Sequence, residues 1–360
     1  MIRRPGFPRP DPEGAGCLVT YIPGMVSVVV VNWNGAAYLS ECLESVHGQS
    51  WTNRELIVVD NGSTDGSREW LRQNSPGRFA LCELETNTGF AAGANAGMRA
   101  ACGEFIALLN NDAVADAGWL AGLLAQAALP GIGMVASKIL FYDRRNIIDK
   151  AGHLFYPDGL NRGRGAGEPD VGQFDRHSEI FFPDGCAALY RHAMLDDVGT
   201  FDEQFFAYGD DADLGLRACW RGWHCAYAPD ARVYHRHSSS LGKYSPQKAF
   251  LVERNRFWVA VKLLPMMLLL VSPGLTLWRF FWHGLSILSH RGLAGGVARE
   301  HDAWSLFKCL VKAYASGIAG LPEIWQKRRQ VFRRRKITSR EFYRLVAKYR
   351  ISARELAIRD

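Results

Sequence analysis

The sequence predicts an α/β fold with a mostly parallel central sheet flanked by helices, extended at its C-terminal end by a basic helical region. Three observations carry this: short β-branched runs that stop in polar and glycine residues, helical stretches between successive runs, and a reversal of charge near residue 230. The 360 residues are 48% hydrophobic and 22% charged with 36 Gly and 15 Pro, which excludes a disordered chain, a collagen-like repeat and a disulfide-stapled miniprotein. The net charge of +7 divides into −11 over residues 1–230 and +18 over residues 231–360. The eight cysteines form no Cys-x-x-Cys pair and no zinc-type spacing with histidine, so they read as reduced, cytosolic thiols.

Residues 1–24 read as a flexible leader: Arg3, Arg4 and Arg9 are not followed by the apolar stretch of a secretion signal. Met25 stands directly before the first run and is a candidate start. Val26 to Val31 suits a buried parallel strand, ending in polar residues at Asn32 to Gly35, with a helix over Tyr38 to Val46. Glu55 to Asp60 repeats the pattern and stops in "NGSTDGS", where Asp65 or Ser67 caps the next helix. A third strand follows at Phe79 to Leu84, a Gly/Ala-rich helix at Ala91 to Ala101, and a fourth strand, "EFIALLN", ending in Asn110, Asn111 and Asp112. Polar residues just past the strand ends predict a ligand site along the carboxyl edge of the sheet.

From Gly131 to Asp230 the periodicity weakens, and "LNRGRGAGEPDVG", Leu160 to Gly172, reads as a mobile loop. Ile180 to Leu195 reads as one or two strands ending in a helix. Acidic groups recur at strand and helix ends: Asp60, Asp112, and Asp210 with Asp211 and Asp213, joined by His235 and His237. Such a set suits a divalent cation that shares its ligands with phosphate oxygens. In Phe201 to Trp223 the acids open a helix at its positive end, where a partly sheltered carboxylate can act as a general base; an acid paired with Arg217 is the plainer reading.

The series "VSVVVVNWNG", "DNGSTDGS", "NTGFAAGANAG", "LLNND", "FFPDGCAALYRHAML" and "FFAYGDDADLGLR" resembles the family 2 glycosyltransferases, and within them the rhamnosyltransferase-like members of bacterial polysaccharide synthesis, over residues 26–262. The resemblance implies a GT-A nucleotide-diphospho-sugar transferase fold and a catalytic domain over residues 25–245. Its nucleotide-binding half would be 25–130 and its acceptor half 131–245. It also implies inversion at the anomeric carbon and Mg²⁺ or Mn²⁺ as cofactor. By the same resemblance Asn32, Asn34 and Asp60 line the nucleoside pocket, and Asn87, Gly89, Asn95 and Asn110 shape the donor side. Asp112 binds the metal with His235, for which His237 competes. Asp184, Gly185, Asp210 and Arg217 face the sugar or acceptor, and Asp211 is the catalytic base. Two departures stand out: Asn110 replaces an Asp of the fullest metal motif, and Asp210 replaces a Glu. The Gln-x-x-Arg-Trp signature of processive synthases is absent, which implies transfer of one or a few sugars.

Residues 246–360 read as a helical, basic, membrane-associating region. The uncharged stretch Leu263 to Trp278 contains Pro265 and Pro273 and is shorter than a bilayer span. With Trp278, Phe280, Phe281 and Trp282 it suits either a segment lying in the membrane interface or a helical lid packed on the catalytic domain. "KRRQVFRRRK", Lys327 to Lys336, suits anionic lipid rather than nucleic acid, since no nucleic-acid module accompanies it. The expected enzyme is therefore cytoplasmic and peripheral at the inner face of the plasma membrane. It would take a nucleotide-diphosphate sugar as donor and a polyprenyl-linked or oligosaccharide acceptor. Two alternatives are a transferase for a soluble or protein acceptor and a catalytically impaired nucleotide-sugar-binding or scaffold protein.

Overall fold

The computed structural model describes residues 2–3, 21–175, 179–237, 245–288 and 303–358. Most of the expected leader lies outside these residues. The described part of it contains β1 (Ile2–Arg3), paired with the strand at Cys82, and the start of β2 (Ile22–Asn32), which begins three residues ahead of Met25.

The first half follows the predicted alternation: β2, α1 (Ala36–His47), β3 (Arg54–Asn61), α2 (Ser67–Asn74), β4 (Ala80–Leu84), α3 (Phe90–Ala100) and β5 (Gly103–Asn110). Strands β4, β3, β2 and β5 lie side by side and parallel, because each helix returns the chain to the same end of the sheet. Their runs of Val, Ile and Leu are buried on both faces, as a sheet covered on both sides requires. Helix α3 approaches β2 so closely that a Cβ on Gly97 would sit 2.3 Å from a Val29 methyl, which accounts for the small residues of "GFAAGANAG".

The second half is less regular. After β6 (Ala113–Ala115) and α4 (Trp119–Ala127) come β7 (Ile132–Phe141), β8 (Ile148–Lys150), β9 (His153–Phe155), β10 (Asn161–Gly163), β11 (Glu179–Ile180) and β12 (Ala187–Arg191). Helices α5 (His192–Val198) and α6 (Asp210–Trp220) and the strand β13 (His224–His235) complete the sheet-bearing region. The sheet runs β1-β4-β3-β2-β5-β12-β7-β13-β11, with β6 on β13 and β8 on β7. Strand β12 is antiparallel to both β5 and β7, so the sheet is mainly parallel but mixed. The glycine-rich stretch 160–172 is not a bare loop: it carries β10, paired with β9, and Asp170, which receives the buried Lys138 ammonium at 2.9 Å. Gly-rich composition marked a turn there and hid a hairpin.

One face of the sheet is covered by α1, α2 and α4 through Leu39, Leu71 and Trp119. The other is covered by α3, α5 and α6 through Ala94, Met194 and Leu214. Then follow α7 (Pro246–Leu263), α8 (Met266–Leu288), α9 (Ala303–Ala319), α10 (Leu321–Arg334), α11 (Ser339–Lys348) and α12 (Ala353–Ile358). Residues of α7, α10 and α11 share one core with Phe155, Phe181, Phe205 and Trp220, so packing is continuous across the sequence boundary at 245. The basic run Lys327 to Lys336 lies mostly in α10 and is partly committed inward. Lys327 pairs with Asp202 at 2.7 Å, the buried Arg328 donates to the Val261 and Leu264 carbonyls, and Arg334 reaches the Asp197 carbonyl. No helix among the described residues is long and apolar enough to cross a membrane.

Candidate functional site

The strand ends carry a chain of side-chain hydrogen bonds. Asn111 donates to Asn32 at 2.9 Å, and Asn32 donates to Asp60 at 3.2 Å and to Ser67 at 2.9 Å. Arg68 in turn donates to Asp60 at 2.8 Å. Asp60 is completely buried and also accepts from the Ser63 amide, so its carboxylate holds the loop 61–68 in place. Asn34, held in the left-handed region at φ 50°, accepts from the Thr64 amide. The neighbouring Asn61, overlooked in the sequence, ties β3 to the next loop by accepting from the Thr88 amide and donating to Asn87 and to the Gly89 carbonyl.

Gly89 has φ 87°, and a Cβ there would lie 2.4 Å from the Phe206 carbonyl oxygen. The close approach brings α3 against the loop that leads into α6. Asn95 serves the same junction: its amide donates to the Phe201 carbonyl and to Glu203, and its oxygen accepts from the Phe201 amide. Asn95 is buried, and these bonds tie α3 to the loop 201–203. Arg217 is engaged in a similar way. Its guanidinium binds Asp213 at 2.8 Å and the carbonyls of Val198, Gly199 and Thr200, closing the C-terminal end of α5.

Two polar clusters meet at the carboxyl edge. In the first, His235 at the end of β13 lies 3.3 Å from Asp112 and 3.0 Å from Asp149, and His237 lies 2.9 Å from the same Asp149 oxygen. Both histidines therefore converge, and Asp149 on β8 joins them as a residue that the sequence did not single out. Burial raises the Asp149 pKa, but the Lys150 charge and the hydrogen bonds from the two histidines outweigh it and hold the carboxyl far below its usual range. Burial works against a charged His235, yet contacts with Cys186, Asp112 and Asp149 push its pKa well up. Asp149, His235 and His237 present ligand atoms within 4.8 Å of one another, and Asp112 adds an oxygen beside them. Mixed carboxylate and imidazole donors fit a divalent transition ion such as Mn²⁺ and are less natural for Mg²⁺. The side chain of Asn110 stands at the same strand end, half-buried.

The second cluster contains Asp211. His153 lies 3.0 Å from Asp184 and 3.3 Å from Asp211, while Lys150 reaches Asp184 at 2.8 Å. Burial disfavours a protonated His153, but hydrogen bonds to Asp184 and Asp211 prevail and raise its pKa to about 9. Asp184, buried beside Lys150 and His153, is held well below the carboxylate range. Gly185 places its Cα against Phe90 and Asp211, where a Cβ would stand 4.0 Å from the Asp211 Cβ. Asp210 is nearly inaccessible, and burial followed by the Asp211 charge raises its pKa well up; Asp211 is the more open of the two. Because Asp149 and Lys150 are adjacent on β8 and serve different clusters, the two form one continuous polar edge.

The loop before Asp210 is held under strain. Phe206 and Tyr208 both have φ 67°, and the buried Asn255 amide on α7 lies 2.9, 2.8 and 2.7 Å from the carbonyls of Phe205, Ala207 and Tyr208. Strained residues persist only when their surroundings hold them, and they concentrate at working sites.

Residues 27–199 match the family described as Glycosyl transferase family 2. The pre-mycofactocin glycosyltransferase of Mycobacterium tuberculosis is 28% identical over 234 residues, covering 62% of this chain and 45% of that protein. The O-antigen biosynthesis protein RfbC of Myxococcus xanthus is 28% identical over 233 residues, covering 60% and 17%. The chain thus spans less than half the length of either. Among solved structures, GalNAc-T7 with UDP, GalNAc and Mn²⁺ superposes with a TM-score of 0.55 at 17% identity, covering 66% of this chain and 48% of that one, a likeness of fold. The architecture is GT-A, and residues 27–199 carry the likeness to glycosyl transferase family 2.

Proposed function

We propose that the chain is an inverting glycosyltransferase that moves a sugar from a nucleotide-diphosphate donor to a lipid-linked or growing saccharide in cell-surface polysaccharide synthesis. It would work peripherally at the cytoplasmic face of the membrane. Rhamnose is the sugar that the sequence resemblance favours. The observation that carries the reading is the juxtaposition, on one sheet edge, of a metal-competent set at Asp112, Asp149, His235 and His237 with Asp211 beside His153 and Asp184.

Asp211 takes the proton of the acceptor hydroxyl as that oxygen attacks the anomeric carbon, and the bond from that carbon to the diphosphate oxygen breaks on the opposite face. His153, charged and pointed at Asp211 and Asp184, keeps the base oriented. Asn32, Asn34 and Asp60 form the nucleoside end, and Asn87 with Gly89 the diphosphate side. Asp112 and His235 would hold a divalent cation, which when bound would supply charge neutralisation for the departing diphosphate. GalNAc-T7, similar in fold, binds Mn²⁺ and UDP, which supports that assignment.

The test is donor turnover and transfer with Mn²⁺ or Mg²⁺ for wild type and Asp211→Asn. The variant should lose about 10²- to 10⁴-fold in rate while keeping donor affinity. Equal, slow turnover by both proteins would instead favour a nucleotide-sugar-binding protein without catalysis. Transfer to soluble acceptors alone would move the acceptor away from lipid.

A further inference from the structure

Helix α8 is built with its polarity reversed. Its buried positions, Ser272, Thr276, Arg279 and Ser286, recur at three- and four-residue spacing and are polar. Arg279, 1% exposed, pairs with Asp158 at 2.8 Å and with Glu253 at 2.8 Å. The opposite stripe is apolar and faces outward: Leu270, Leu277 at 70% exposure, Trp278 at 52% and Phe281 at 52%. A helix of a water-facing surface does the reverse.

Helix α9 adds a second outward stripe through Trp304 and Phe307, with Lys308 5.6 Å above the Trp304 ring. Both helices are fastened to the same α7 side chain, since Arg256 donates to Thr276 of α8 and to Tyr314 of α9. Neither helix contains a single Asp or Glu. An acid-free, tryptophan-bearing apolar surface with lysine at its margin matches the interfacial layer of a membrane containing anionic lipid. Helix α8 is not a span: polar groups and Pro273 lie within it, and its inward stripe is charged.

We infer that the outward stripes of α8 and α9 form a docking face that inserts into the interfacial layer of an anionic phospholipid bilayer, with the α8 face as its main apolar contact. This deepens the peripheral placement proposed above and is independent of the transfer chemistry. The arginines of α10 then contribute charge without being the anchor.

The experiment uses the full chain and vesicles of phosphatidylcholine containing phosphatidylglycerol, in flotation at low and high salt. The triple variant Leu277→Ser, Trp278→Ser, Phe281→Ser removes exposed apolar groups, and its thermal unfolding should match wild type. It should bind vesicles at least about tenfold more weakly at both salt concentrations. Arg329→Ala with Arg333→Ala should retain high-salt binding. Brominated lipid should quench wild-type tryptophan fluorescence, and Trp278→Phe with Trp304→Phe should lose most of that quenching. Three outcomes would overturn the inference. One is wild-type vesicle binding that survives the triple substitution and vanishes with the two arginines, which would leave the peripheral placement standing but move its anchor. A second is absence of wild-type binding, which would remove the placement altogether. The third is a dimer that the triple variant dissolves without any vesicle binding.

Discussion

Replacing Asn255 by alanine should damage the site from outside the matched family segment. The Asn255 amide nitrogen serves the carbonyls of Phe205, Ala207 and Tyr208 in a completely buried position. Its two hydrogens cannot be replaced by water without opening that core. A net contribution of about 1 kcal/mol per hydrogen bond, with a penalty of similar size for each buried carbonyl left unpaired, gives a loss of roughly 2–4 kcal/mol in unfolding free energy. The strain at Phe206 and Tyr208, on the order of 1–3 kcal/mol each, would then be free to relax, and relaxation carries Asp210 and Asp211 with it. A displacement near 1 Å at a reacting group costs about a hundredfold in rate. Urea unfolding together with donor turnover measures both effects, and Asn255→Asp, which keeps the size but removes the donors, should be no better than alanine. The reasoning fails if Asn255→Ala unfolds within about 0.5 kcal/mol of wild type and turns over donor normally.

Since the His153 pKa is raised from 6.5 to about 9 in the fold, its stabilising effect is fully present below pH 6.5 and is lost as pH rises through 9. Wild type should lose roughly 3 kcal/mol more than His153→Gln across that window in denaturant titrations. Asp149→Asn, which removes the charge shared by His235 and His237, should weaken metal affinity about 10- to 100-fold in calorimetric Mn²⁺ titration. Gly89→Ala meets both a positive φ and the Phe206 carbonyl; a loss of at least about 2 kcal/mol is expected by thermal unfolding. Arg279→Met leaves Asp158 and Glu253 buried without their main cation. It should cost about 3–5 kcal/mol, and a melting temperature near wild type would contradict that.

The first half of the sheet was legible because its strands are continuous apolar runs punctuated by polar residues, a pattern that local sequence can carry. Strand β7 was not foreseen, although all but its last residue is buried, because it lies in a stretch whose neighbours are short irregular strands. Asp149, Lys150 and His153 fall within five consecutive positions, and that density of chemistry was the available signal. Their meaning depends on β8 and β9 reaching Asp184, Asp211 and His235 across long sequence separations. Asn95 and Arg217 show a further dependence on distant chain. Their residue types suit a ligand, and in the fold they also hold backbone groups of residues 198–201, which local sequence could not announce. Asn255 was invisible for a related reason, since nothing local to α7 distinguishes an amide that holds a distant loop from one that faces water.

The chain of hydrogen bonds from Asn111 through Asn32 and Asp60 to Arg68 also settles a problem of pairing. Val28 to Val31 and Leu56 to Val59 are nearly uniform apolar segments, buried on both faces, so their own pattern distinguishes poorly between one alignment and the next. Only the alignment that sets Asn32 against Asp60 and Val31 against Asn110 lets every member of the polar chain find its partner. A slip of one residue would leave a carboxylate and an arginine unsatisfied at the sheet edge while changing little in the apolar area covered. The residues that mark the polar edge thus also choose the alignment of the strands that present it.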